Sequence, residues 1–82
     1  MNENTHITER FFEALDILKQ HKKIRGLNTF VKQYDLNYWN MHTLKKNKET
    51  GWLKPIYLHY LVVDYGISAK WLLTGRGKMF RN

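Results

Sequence analysis

A chain of 82 residues has room for one domain, and a domain of that size buries only roughly 60–68% of the surface its unfolded form exposes. The hydrophobic fraction of 43% argues against both disorder and a membrane protein, and the lack of cysteine excludes disulfides, thiolate metal sites and a cysteine nucleophile. The formal net charge of +7 points to phosphate polyanions as partners, and it is unevenly placed. Residues 1–18 set Arg10 against four acids (Glu3, Glu9, Glu13 and Asp16); residues 19–54 carry nine bases against Asp35 and Glu49; residues 55–82 add four against Asp64.

The stretch from Met1 to Arg10 is polar and has neither the basic nor the apolar region of a signal peptide. No segment approaches the ~20 consecutive apolar residues that a spanning helix requires. A cytoplasmic protein is expected.

In chain order, residues 1–7 read as a tail. Thr8 is placed to cap a helix running to about His21, in which Phe11, Leu15 and Leu18 recur at helical spacing and Phe12, Ala14 and Ile17 widen the stripe. Gly26 is expected to stop or redirect the chain. Asn28 and Thr29 are cap candidates for a second helix of barely two turns carrying Phe30, Val31 and Tyr34. A tight turn near Asp35–Asn37 then leads to a third helix, about Tyr38 to Lys46, with Asn37 as its cap. Met41 and Leu44 lie three apart and anchor one narrow face. Tyr38, Trp39, Asn40, His42, Thr43, Lys45 and Lys46 therefore point largely outward. Two short helices joined by a tight turn make a helix-turn-helix candidate.

Residues 47–54 read as a loop, with Trp52 and Leu53 folding back on the core. Pro55 suits the first turn of a fourth helix because its missing N–H has no intrahelical partner there. Leu58, Leu61, Val62 and Tyr65 supply its apolar stripe, and Gly66 its stop. Ser68 can cap a fifth helix with Trp71, Leu72 and Leu73, ended by Gly75. Residues 76–82 are expected to form a frayed tail, leaving 8–75 as the folded domain.

This order of elements, with the ending Gly66-Ile67-Ser68-Ala69-Lys70-Trp71-Leu72-Leu73-Thr74-Gly75, resembles the lambda-repressor-like (XRE, phage CI-type) helix-turn-helix DNA-binding domains. The last helix of that family typically reads glycine, an aliphatic residue, serine, two variable residues and Trp-Leu-Leu-x-Gly. The resemblance spans about residues 8–79 and implies a compact all-α, five-helix domain. In it Val31 looks like the small residue of helix 2, Leu36 like the aliphatic turn residue, and Met41 and Leu44 like the anchors of helix 3. Thr29 stands where the family often has a phosphate-binding glutamine. Asp35 and Asn47 stand where glycine is frequent, and both residue types tolerate the left-handed conformation.

The implied function is sequence-specific binding of double-stranded DNA by a small transcriptional regulator, with helix 3 in the major groove. The resemblance puts Tyr38, Trp39, His42 and Thr43 at the base-contact positions. Phosphate contacts are expected from Thr29, Asn40, Lys45, Lys46 and Lys48, and from Lys22, Lys23 and Arg25 ahead of helix 2. A weak or DNA-assisted homodimer is expected, formed through this domain itself because the chain ends soon after Gly75. Two other readings of these residues stay open: a helix-turn-helix-fold adaptor in which Tyr38 and Trp39 anchor a protein partner, and a non-specific nucleic-acid binder. The four histidines show no ligand spacing, and no paired carboxylates, glycine-rich phosphate loop or Ser/His/Asp arrangement is present. Neither a metal, a cofactor nor a catalytic site is expected, and trans-membrane or small-molecule partners have no support.

Overall fold

The computed structural model describes residues 3–49, 51 and 53–81. They form five α-helices: α1 (Glu3–Gln20), α2 (Leu27–Gln33), α3 (Tyr38–Lys46), α4 (Pro55–Tyr65) and α5 (Ala69–Thr74). Phe11, Leu18, Phe30, Met41, Leu61, Ile67 and Leu72 are the largest fully buried side chains. They come from every helix, so the core closes only when all five are in place. Phe11 sits at its centre, with ring contacts to Phe12, Phe30 and Tyr57.

Helix α1 begins at Glu3, so residues 3–7 are helical rather than a tail, and Thr8 is not its cap. Thr8 is instead buried inside the helix, where its hydroxyl donates to the Asn4 carbonyl at 3.0 Å. A threonine four residues after a carbonyl satisfies its own donor this way, and this local bond makes a capping residue and an interior one look alike in sequence. The helix does not run to Gly26 for its stop. Lys22 takes a left-handed φ of 62°, its N–H meets the Lys19 carbonyl at 3.0 Å, and the Lys23 N–H meets the Leu18 carbonyl at 2.9 Å. These two bonds are the Schellman closure, here made without glycine.

Gly26 serves as the N-cap of α2, and Asn28 and Thr29 lie inside that helix rather than ahead of it. The end of α2 repeats the first closure. Asp35 is left-handed at φ 53°, its N–H meets the Lys32 carbonyl at 3.3 Å, and the Leu36 N–H meets the Val31 carbonyl at 2.9 Å. Four residues, 34–37, thus separate α2 from α3.

Helix α4 starts at Pro55 and ends on Gly66 at φ 70°. Its inner face differs from the expected stripe: Tyr57 and Leu61 are buried, while Leu58, Val62 and Tyr65 are only half-buried. The helix is apolar nearly all round, so periodicity alone did not select its inner face. Helix α5 is capped by Ser68, whose hydroxyl accepts the Trp71 N–H at 3.2 Å, and Gly75 closes it at φ 75°. Trp71 and Leu72 are buried and Leu73 is half exposed.

The segment after α5 is not frayed. Ile67 and Phe80 form an antiparallel bridge, with Ser68 N–H to Met79 carbonyl at 2.7 Å and Arg81 N–H to Gly66 carbonyl at 3.0 Å. Phe80 also stacks on His21 at 5.7 Å, which ties the segment to the end of α1. Arg10 of α1 adds a second long-range tie. Its guanidinium donates to the Leu72 carbonyl at 2.7 Å and the Leu73 carbonyl at 3.1 Å, covering the carbonyl end of α5.

Trp52 lies outside the described residues; Leu53 packs partly buried against the core. Among the described residues no helix is long and apolar enough to cross a membrane.

Candidate nucleic-acid interface

Helix α3 has the expected bounds and the expected cap. Asn37 Oδ1 accepts the Asn40 N–H at 2.9 Å, which satisfies one of the four backbone donors left open at a helix start. Asn47, at φ −125°, ends the helix without the positive φ that the glycine comparison led one to expect. Its N–H still reaches the Thr43 carbonyl at 2.9 Å, so the carbonyl is satisfied without a left-handed residue.

Met41 and Leu44 are buried, and the helical period puts Trp39 and Lys46 at the middle of the opposite face, flanked by His42 and Thr43. The exposures agree. Trp39 is 75% exposed, and Asn40, Thr43, Lys45 and Lys46 are exposed. Tyr38 and His42 are half-buried and pack on each other at 4.3 Å, as the one-turn spacing allows. Tyr38 also packs against the core, and Trp39 meets its ring edge-on at 5.4 Å. The four expected base-contact residues therefore divide: Trp39 and Thr43 are exposed, while Tyr38 and His42 are half-buried, brace the helix start and offer only part of their surface.

The lysines divide as well. Lys45 and Lys46 are exposed, with no acid on α3 to neutralise them. Lys48 is half-buried and turned inward: its ammonium donates to the Lys45 carbonyl at 3.0 Å and lies 5.6 Å from the centre of the Phe12 ring. It closes the negative end of α3. Lys22, Lys23 and Arg25 are exposed in the connection before α2. The Arg25 N–H donates to the Thr29 hydroxyl at 3.2 Å, which brings those two candidates together at the start of α2. Among the described residues no hydrogen bond, ion pair or ring contact joins this group to the α3 group.

Lys54 was not among the expected contacts, yet it lines a groove of about 230 Å³ with Asn40, Thr43, Gly51 and Tyr57, beside the outward face of α3. Gly51 makes this approach close. Its N–H donates to the Asn47 carbonyl at 2.7 Å, and a Cβ there would stand 2.5 Å from Leu44 Cδ1. The basic residue just before a helix-starting proline was the available sequence signal for Lys54.

A second polar cluster holds α2 against α4. Tyr34 donates to Asp64 at 2.5 Å and stacks on Tyr60 at 3.8 Å, while Tyr65 donates to Gln33 at 2.6 Å. Burial first, and then the bond to the Asp64 carboxylate, push the Tyr34 hydroxyl well above the ordinary tyrosine range. Among the described residues no group of three or more His, Cys, Asp or Glu could hold a metal ion. Compared with models of known families, with curated proteins and with solved structures, the chain matches none.

Proposed function

We propose that the chain is a helix-turn-helix domain of lambda-repressor-like kind that binds double-stranded DNA in a sequence-specific way, as part of a small transcriptional regulator. In this reading α2 crosses the sugar-phosphate backbone and α3 enters the major groove. The carrying observation is the outward face of α3, where a fully presented Trp39 and an exposed Thr43 stand beside Lys45 and Lys46 with no acid on the helix. A helix with its side chains measures about 10–12 Å across and a B-form major groove is about 12 Å wide, so such a face can reach base edges.

The division of side chains assigns roles. Trp39 supplies an apolar surface for thymine methyl groups and Thr43 a hydroxyl that accepts or donates, while Tyr38 and His42 orient the helix. Lys45, Lys46, Lys22, Lys23 and Arg25 meet phosphates.

The test is selection of bound sites from random duplex DNA, with affinity followed against salt. An enriched motif is expected, lost in a Trp39→Ala/Thr43→Ala variant. In Lys45→Gln/Lys46→Gln the slope of log affinity against log salt should be shallower by about 1.8, at about 0.9 per phosphate released. Salt-sensitive binding without enrichment would leave a phosphate binder only. No duplex binding at all would overturn the reading in favour of a protein-interaction role for Trp39.

A further inference from the structure

The segment after α5 returns to the fold, and covering the core explains only part of that return. The bridge to Ile67 and the partly buried Met79 and Phe80 account for residues 79 and 80. Neither accounts for Arg81. Its N–H is fixed to the Gly66 carbonyl at 3.0 Å, yet its side chain is exposed and makes no hydrogen bond or ion pair among the described residues. Phe80 stacks on His21 at 5.7 Å with the rings 17° from parallel. Arg81 and Lys22 are the chain neighbours of those two residues, each one peptide away, about 3.8 Å between Cα atoms. The stack thus carries Arg81 to the corner that holds Lys22, Lys23 and Arg25, and all four are exposed. On its other side Arg81 borders a groove of about 500 Å³ with Tyr65, which donates to Gln33 of α2 at 2.6 Å. No acid pairs with any of these four bases among the described residues. Like charges gathered without acids work against the compact state. Lys22 adds backbone strain, at φ 62°, in a position where glycine would close α1 more easily. Neither feature helps the fold itself.

We infer that Arg81 is a further phosphate contact for duplex DNA, and that the stack of Phe80 on His21 positions it beside Lys22, Lys23 and Arg25. The inference rests on the proposed DNA-binding reading and deepens it. It joins two parts of the chain, the connection before α2 and the segment after α5, into one basic track apart from α3. His21 and Phe80 turn a ring face to each other instead of to a base, so the corner offers charge, and charge suits a duplex backbone. A base held in place loses less freedom on contact than one on a loose chain, so the stack contributes affinity without touching DNA.

Equilibrium binding of the full chain to the duplex it selects, followed against salt, tests it. Arg81→Gln should make the slope of log affinity against log salt shallower by about 0.9, and lower affinity at about 0.1 M salt roughly fivefold to tenfold. Arg76→Gln removes the same charge at the end of α5, where the Arg76 N–H meets the Thr74 hydroxyl at 3.1 Å, and should leave the slope unchanged. His21 is exposed, so His21→Ala removes the stack and leaves the core intact. It should lower affinity and cut the effect of Arg81→Gln on log affinity by at least about half in a double-mutant cycle. His21→Phe rebuilds the stack and should restore both. Equal slope changes in Arg81→Gln and Arg76→Gln would reduce the effect to net charge, and an Arg81→Gln effect undiminished in His21→Ala would remove the positioning role; either overturns the proposal. An unchanged slope in Arg81→Gln, while the parent chain still selects a motif, would overturn this contact and leave the DNA-binding reading standing. Absence of duplex binding by the parent would remove both.

Discussion

Replacing Arg10 by alanine tests how the smallest helix is held. A six-residue helix does not persist in water by itself, and its last carbonyls have no intrahelical donors. The Arg10 guanidinium donates to two of them, Leu72 at 2.7 Å and Leu73 at 3.1 Å, and places a positive charge at the negative end of α5. Each partly exposed hydrogen bond contributes about 0.5–1.5 kcal/mol net, and the charge at the helix end about 0.3–1 kcal/mol. Arg10→Ala should therefore cost about 2 kcal/mol. For a domain of this size that lowers the melting temperature by about 8–16 °C, measured by circular dichroism. Arg10→Lys keeps the charge but loses the planar fork, and should recover no more than about half of the loss. Hydrogen exchange of the amides from Leu72 to Gly75 should accelerate more than that of α1. A melting shift under about 3 °C for Arg10→Ala would show that α5 is held by Trp71 and Leu72 alone, and would refute the reasoning.

Gly51→Ala sets a Cβ 2.5 Å from Leu44 Cδ1 and 2.9 Å from the Asn47 carbonyl oxygen, so a loss of roughly 1–3 kcal/mol in urea unfolding is expected. A loss below about 0.5 kcal/mol would mean the loop relaxes freely. For Tyr34 the hydroxyl pKa is raised in the folded state, by burial and then by Asp64. Its stabilising contribution is thus full below the unfolded value of about 10 and is lost as pH rises from there through the higher folded value. Tyr34→Phe should cost about 1 kcal/mol at neutral pH and flatten stability against pH above about 10; an unchanged alkaline profile would contradict this. Lys22→Gly removes a left-handed strain of about 1 kcal/mol, partly offset by the greater freedom of glycine in the unfolded chain, so stability should hold or rise. The same variant should make the salt dependence of duplex binding shallower by about 0.9, and a variant that changes only stability would remove Lys22 from the phosphate contacts.

What was legible in the sequence is what short-range chemistry determines. The bounds of α3 followed from a cap at Asn37 and two anchors three residues apart, and the left-handed Asp35 from the tolerance of that residue type. Pro55 with Gly66 and Ser68 with Gly75 marked their helices for the same reason. The misses are long-range or ambiguous. Nothing local separates a threonine that caps from one that bonds back within a helix, so the true start of α1 at Glu3 was hidden behind Thr8. Lys22 closes α1 through two backbone bonds that any residue could make, at a cost glycine would have avoided. The return of Phe80 to Ile67 and the reach of Arg10 to Leu72 each join partners distant in the chain and leave no periodic trace. At the candidate interface the residue types were readable but not their division: the rotation of about 100° between successive helical residues decides that Tyr38 packs and Trp39 does not.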